Sequence, residues 1–232
     1  MVRYGDSRAG KHVTEFLGDW RGPVVADHYS GHEALYRDGC RHVPCWAHIR
    51  RKFVEAKRDG GDQRAGPVIA HIQRLYAWER RWVEHRPDRR RDERTQHAVP
   101  IIDAILHEVD RLRPLATPRS PLGQALRYVH NLRTRVGAYR HLPIDNNALE
   151  RLWKPIALGR KNYLFVGNVA GGERAASAYT LMLNCRIHKR EPFDYLRRAV
   201  AGLHARQDPA TLTPRAMAHA DKTSQLTTVG AE

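Results

Sequence analysis

Between Val68 and Val136 the apolar residues return every three or four positions, a spacing that strands cannot use. Val68, Ile69, Ile72, Leu75 and Tyr76 form one such series. Ile102, Ile105, Leu106, Val109 and Leu112 form a second, and Leu122, Ala125, Leu126, Val129 and Val136 a third. Each series lays one apolar stripe along a 3.6-residue helix. An Arg-rich connection, residues 86–94, mixes its arginines with Asp88, Asp92 and Glu93 and joins the first two. Residues 62–140 are therefore predicted as a mainly helical insertion.

Two short runs ahead of it fit strands. Pro23-Val24-Val25-Ala26-Asp27 is apolar and β-branched and ends in a carboxylate, the pattern of a short buried strand. Arg41 to Trp46 is a second, with Pro44 suiting an edge or a strand end. Met1 to Tyr4 reads as the tail of a further strand, Val13–Leu17 and Glu33–Tyr36 as short helices, and Ala47–Arg58 as a longer basic one stopped by Gly60-Gly61. After the helical stretch, Pro143 to Asn147 is a turn into a helix carrying Glu150, with Asp145 or Asn146 as N-cap and Pro155 as the predicted end. Gly159–Gly167 is predicted as a loop or hairpin, followed by helices over Glu173–His188 and about Pro192–Ala205. From Gln207 the Pro, Thr, Ala and Ser content predicts a disordered tail, 207–232. The expectation is an α/β chain: a partial core in 1–61, the helical insertion in 62–140, and the rest of the core in 141–206.

Charge points to the partner. Lys and Arg number 40 against 25 acidic residues, a formal +15. A field of that sign draws in polyanions, nucleic acid first and an anionic membrane surface second. No run approaches the roughly 20 apolar residues of a membrane span, and the N-terminus lacks the apolar segment of a secretory signal. Three cysteines, odd in number and sparse, argue against a disulfide scaffold and for a reducing, cytoplasmic setting.

Asp27 at a strand end and Glu150 one turn into a helix are the residue types that hold a divalent ion for phosphodiester chemistry, since hard carboxylate oxygens suit Mg²⁺ or Mn²⁺. Spacing alone leaves open a helix-capping Asp and a surface Glu paired with Arg151 or Lys154. Cys40, His42, Cys45 and His48 are zinc-type side chains, but C-x-H-x-x-C-x-x-H is no familiar zinc spacing. They are assigned to core packing, with His48 near DNA or metal and no zinc expected. Cys185 is a buried helix residue by the same reasoning.

Several segments, in one order, resemble the insertion sequence 66 family of transposases. They are Ala26-Asp27-His28-Tyr29-Ser30-Gly31, the box Cys45-Trp46-Ala47-His48-Ile49-Arg50-Arg51-Lys52-Phe53, Ile144-Asp145-Asn146-Asn147-Ala148-Leu149-Glu150-Arg151, Gly159 to Phe165 (GRKNYLF), and Gly171 to Ala176 (GGERAA). The resemblance reaches about residue 205. It implies a ribonuclease-H-like α/β core with a DDE triad, a helical insertion before the last Glu, and metal-dependent DNA cleavage and strand transfer. Asp27 would be the second acid and Glu150 the third. Arg151, Lys154, Arg160 and Lys161 would hold phosphates, and Asn146 and Asn147 would shape the turn or touch DNA. The family's first Asp lies on a strand upstream of the part matched by Met1–Tyr4, so the expectation is a truncated catalytic fragment. Its partners would be transposon-end and target DNA, with other protomers or element-encoded accessory proteins. Two other readings stand beside it: an inactive remnant that only binds DNA, and a basic nucleic-acid-binding module whose acids merely cap helices.

Overall fold

The computed structural model describes residues 1–7, 9–163 and 165–229 and is mostly helical, with one two-stranded parallel sheet. In order the elements are α1 (Lys11–Leu17), β1 (Pro23–Ala26), α2 (Glu33–Arg37), β2 (Arg41–Pro44), α3 (Trp46–Arg58), α4 (Gly66–Arg81), α5 (Pro87–Glu93), α6 (Val99–Leu112), α7 (Pro121–Asn131), α8 (Asn147–Tyr163), α9 (Val169–Ile187), α10 (Pro192–His204) and α11 (Pro214–Val229). They divide into two compact units. The larger is Ala9–Arg151; the smaller joins Met1–Arg8 to Leu152–Glu232.

In the larger unit β1 and β2 pair in parallel, Pro23 opposite Arg41 through Ala26 opposite Pro44. Pro44 is the last strand residue, where its missing N–H removes nothing from the pair. One core runs from Val43 through α3, α4, α6 and α7 to Ile144, with Trp46, Phe53, Trp82 and Tyr139 fully buried. The helical insertion and the strands therefore share an interior. Each helix obeys its stripe: Ile49, Phe53 and Ala56 point inward from α3, and Leu122, Ala125, Leu126 and Val129 from α7. Start signals agree, since Pro121 opens α7 and the Ser120 hydroxyl accepts the Gly123 N–H at 3.1 Å. A π-helical turn, Arg94–Ala98, leads into α6, and there the buried Arg94 grips Glu79 through two 2.7 Å bonds.

The smaller unit packs α9, α10 and α11 around Cys185, Tyr195, Ala199 and Met217. Four expectations differ from the structure here. Met1 to Tyr4 is extended chain without strand pairing. The Val2 N–H donates to the Thr180 hydroxyl at 2.8 Å, and the Tyr4 ring lies where a side chain on Gly172 would be. Pro155 does not end α8, which runs on to Tyr163. Proline forbids only its own donation to the Arg151 carbonyl, and the residues after it re-form the ladder. The segment predicted as a loop or hairpin from Gly159 is helical over its first five residues, Gly159–Tyr163, and a side chain at 159 would strike the Tyr163 ring and the Tyr179 hydroxyl. Where composition from Gln207 predicts disorder, a turn, Pro209–Leu212, leads into α11. Leu212 and Met217 are buried, and Asp221 takes Arg190 at 2.7 Å and Arg198 at 3.1 Å.

Candidate functional site

The two acids singled out by the sequence both lie in the larger unit, and the start of α3 ties their segments together. The Cys45 N–H donates to the Ala26 carbonyl at 3.1 Å, and the next amide, Trp46, donates to the Ile144 carbonyl at 3.1 Å. Ala26 immediately precedes Asp27, and Ile144 opens the turn that leads to Glu150. Two consecutive N–H groups at one helix start, unable to bond within the helix, thus hold the strand end and the turn side by side.

Around Asp27 the surroundings are aromatic. The half-buried carboxylate follows β1, and burial together with its negative charge pushes the Tyr36 and Tyr128 phenols above their ordinary values. The Tyr128 hydroxyl accepts the His28 N–H at 3.2 Å. His42 stacks between His28, at 5.8 Å, and Tyr36, at 4.7 Å. Its Nε2 donates to the Ala26 carbonyl at 3.2 Å, which leaves Nδ1 as an acceptor for Arg135 at 3.4 Å. That tautomer is neutral, and burial holds the His42 pKa below its usual value.

From Tyr128 a line of side chains leads to Glu150. The Lys52 ammonium lies 5.0 Å over the Tyr128 ring. His48, one turn earlier on α3, brings Nε2 to 3.5 Å from Glu150 Oε1. Its Nδ1 is buried and has no partner among the described residues. The turn beneath Glu150 is built by Asp145, whose Oδ1 accepts the Asn147 N–H at 3.0 Å. Its Oδ2 accepts the Asn147 amide at 2.7 Å and the Tyr76 hydroxyl at 2.8 Å. Asp145 is therefore the side chain that caps α8, and Asn147 is engaged with it. The Asn146 side-chain oxygen is buried without a partner among the described residues.

The basic residues named by the sequence fall in different surroundings. Arg151 is exposed at the end of the larger unit. Lys154, Arg160 and Lys161 belong to the smaller unit; Lys154 and Lys161, seven residues apart, share one exposed face of α8. Arg160 instead lines a cavity of about 340 Å³ with Tyr4, Trp153, Tyr163 and Tyr179. The four zinc-type side chains are otherwise engaged: the Cys40 thiol donates to the Trp20 carbonyl at 3.0 Å, and burial pushes the Cys45 thiol pKa up. Among the described residues no three His, Cys, Asp or Glu side chains gather into a metal-binding set. Sequence reasoning missed Tyr76, Tyr128 and Lys52. The first falls on an apolar stripe that hides its hydroxyl's need for a partner, Tyr128 falls outside every quoted box, and Lys52 stands in one as only one more basic residue.

Comparison with known proteins agrees with these boxes. The family model described as Transposase IS66 family matches residues 1–174. The chain is 27% identical over 225 residues to Uncharacterized protein y4jD of Sinorhizobium fredii (strain NBRC 101917 / NGR234), covering 91% of this chain and 44% of that protein. It is 26% identical over 205 residues to Uncharacterized protein y4qI of the same organism, covering 84% and 38%. Uncharacterized protein y4hP is 28% identical over 218 residues, covering 84% and 39%. The chain thus spans less than half the length of these curated relatives. No solved structure matches it significantly. With three quarters of its length under the family model, this chain belongs to the insertion sequence 66 family of transposases.

Proposed function

We propose that this chain supplies Asp27 and Glu150 to a DDE-type catalytic centre that cuts and joins DNA during transposition. The observation that carries the reading is the pair of hydrogen bonds from the Cys45 and Trp46 amides, which hold the Asp27 strand end beside the Glu150 turn. The reading calls for a ribonuclease-H-like core, and the parallel pairing of β1 with β2 across α2 supports it. No helix among the described residues is long and apolar enough to cross a membrane, and a formal +15 favours a polyanionic partner.

The inferred ion is Mg²⁺ or Mn²⁺, because both acids offer hard oxygen donors. When bound, such an ion neutralises charge on a phosphoryl group. Two carboxylates do not complete a centre of that kind, and we derive no step through the ion. Its remaining ligands are proposed to come from outside the described residues, from another protomer or another polypeptide. Within the chain, His48, whose Nε2 lies 3.5 Å from Glu150 Oε1, is proposed to position that carboxylate. Arg151, Lys154, Arg160 and Lys161 are proposed as phosphate contacts, and Asn147 as the residue that fixes the turn.

The test pairs Mn²⁺ binding, followed by electron paramagnetic resonance, with nicking of transposon-end duplex. Asp27→Asn and Glu150→Gln are each expected to weaken Mn²⁺ binding and abolish nicking while DNA binding persists. A second reading, DNA binding without cleavage, is favoured by the lack of a three-ligand set among the described residues. Salt-sensitive binding without nicking, and Mn²⁺ affinity indifferent to both substitutions, would establish that reading instead.

A further inference from the structure

A second basic site lies in the larger unit, where residues of two of the quoted boxes meet α4. α3 and α4 pack through their buried faces but leave an open cleft of about 700 Å³ on their outer side. Ala47 and Val54, two turns apart on α3, form its floor. Gln73, Tyr76 and Arg80 line it from α4 at three- and four-residue spacing, so they share one face. Arg50 and Arg51 close it from α3, and Asn147 closes it from the first turn of α8.

The charge of the cleft is not neutralised from within. Elsewhere in this unit Arg58, Arg64, Arg94, Arg111 and Arg133 each hold a carboxylate at 2.6–2.8 Å. Arg50, Arg51 and Arg80 have no acidic partner among the described residues. Among the described residues the one carboxylate bonded to the lining is Asp145, which already accepts from Tyr76 and from both nitrogens of Asn147. Three guanidinium groups thus face solvent around a concave, polar-walled space against a single, occupied carboxylate. Fork-shaped donors in that arrangement match phosphate oxygens.

Resting on the DNA-directed function proposed above, the geometry points to the α3–α4 cleft as the track for the phosphodiester backbone of one DNA strand, gripped by Arg50, Arg51 and Arg80. Asn147 lines the cleft and lies three residues before Glu150, so a strand held there runs alongside the turn that bears the acid. Tyr76 offers a ring edge beside the backbone, while its hydroxyl stays committed to Asp145.

The experiment compares two double variants of exposed arginines that remove equal charge: Arg51→Gln with Arg80→Gln, and Arg113→Gln with Arg119→Gln as control. DNA binding is measured by fluorescence anisotropy across a salt series, and arginine modification by phenylglyoxal is mapped by mass spectrometry with DNA or pyrophosphate present. The cleft pair is expected to lower the slope of log affinity against log salt by about 2, with the control pair close to wild type. DNA is expected to shield Arg50, Arg51 and Arg80 from modification. Equal slope changes in both pairs, with no shielding, would overturn the cleft while leaving DNA binding intact. If DNA failed to bind but pyrophosphate still shielded these arginines, DNA would be excluded as the ligand and the proposed function would fall with it.

Discussion

Asp145 does more than any other single side chain to build the turn before Glu150. Its two oxygens accept three hydrogen bonds, from the Asn147 backbone, the Asn147 amide and Tyr76. Replacing it with Ala removes the cap of α8 and strands a Tyr76 hydroxyl that is largely removed from solvent. The expected loss is about 2–4 kcal/mol, read as a lower urea midpoint at unchanged slope. Asp145→Asn keeps acceptor oxygen and is expected to lose less than half as much. The sequence places the cap at Asp145 or Asn146, and the structure gives it to Asp145. Its partner was not legible, because a tyrosine at a stripe position reads as apolar until its hydroxyl is given a place. The same blindness hid Tyr128 beside Asp27. Periodicity reports which face a residue occupies and says nothing about what its polar tip meets.

At the scale of elements, the helices with wide apolar stripes follow the sequence closely, and the differences cluster in the smaller unit. α4, α6 and α7 bury most of the residues that their spacing singles out, with Ile69, Tyr76 and Leu106 partly buried against the same core. α11 has no such stripe; it is anchored through Leu212, Met217 and the Asp221 ion pairs, contacts that local composition does not encode. Pro155 misleads for a different reason, since a proline removes one bond from a helix long enough to continue without it. The glycine pair of GGERAA looks like a turn, yet Gly172 lies inside α9, where the Tyr4 ring fills the space of its missing side chain. Gly172→Ala is therefore expected to destabilise the smaller unit by about 1–3 kcal/mol, the usual range for overpacking. Tyr4→Ala in the same chain should recover part of that loss in a thermal melt. Full stability of Gly172→Ala alone would contradict the packing described.

Over the whole molecule, acid should weaken the larger unit through His42. Burial keeps its folded pKa below the unfolded value of about 6.5, so unfolding takes up a proton in acid. Its contribution is complete above pH 6.5 and declines as the pH falls below that, because the Arg135 guanidinium already occupies Nδ1. The urea midpoint is expected to drop between pH 7 and pH 5, and to drop less in His42→Asn. A steeper fall in the variant would reverse the assignment. Asp27 and Glu150 were legible as residue types, whereas the link between their segments was not, because it depends on two amides of α3 that bond to Ala26 and Ile144. The smaller unit raises that separation to its extreme: Val2 and Thr180, 178 residues apart, share a hydrogen bond. At roughly 5–20 residues per second of synthesis, the first residues wait on the order of 10–30 s for that partner to be made. All of Ala9–Arg151 leaves the ribosome in the interval, free to fold before the two ends meet. A ribosome stalled far enough past residue 151 to clear its exit tunnel should therefore display a finished larger unit while Val2 still lacks Thr180, and a protease would cut around Met1–Tyr4 first.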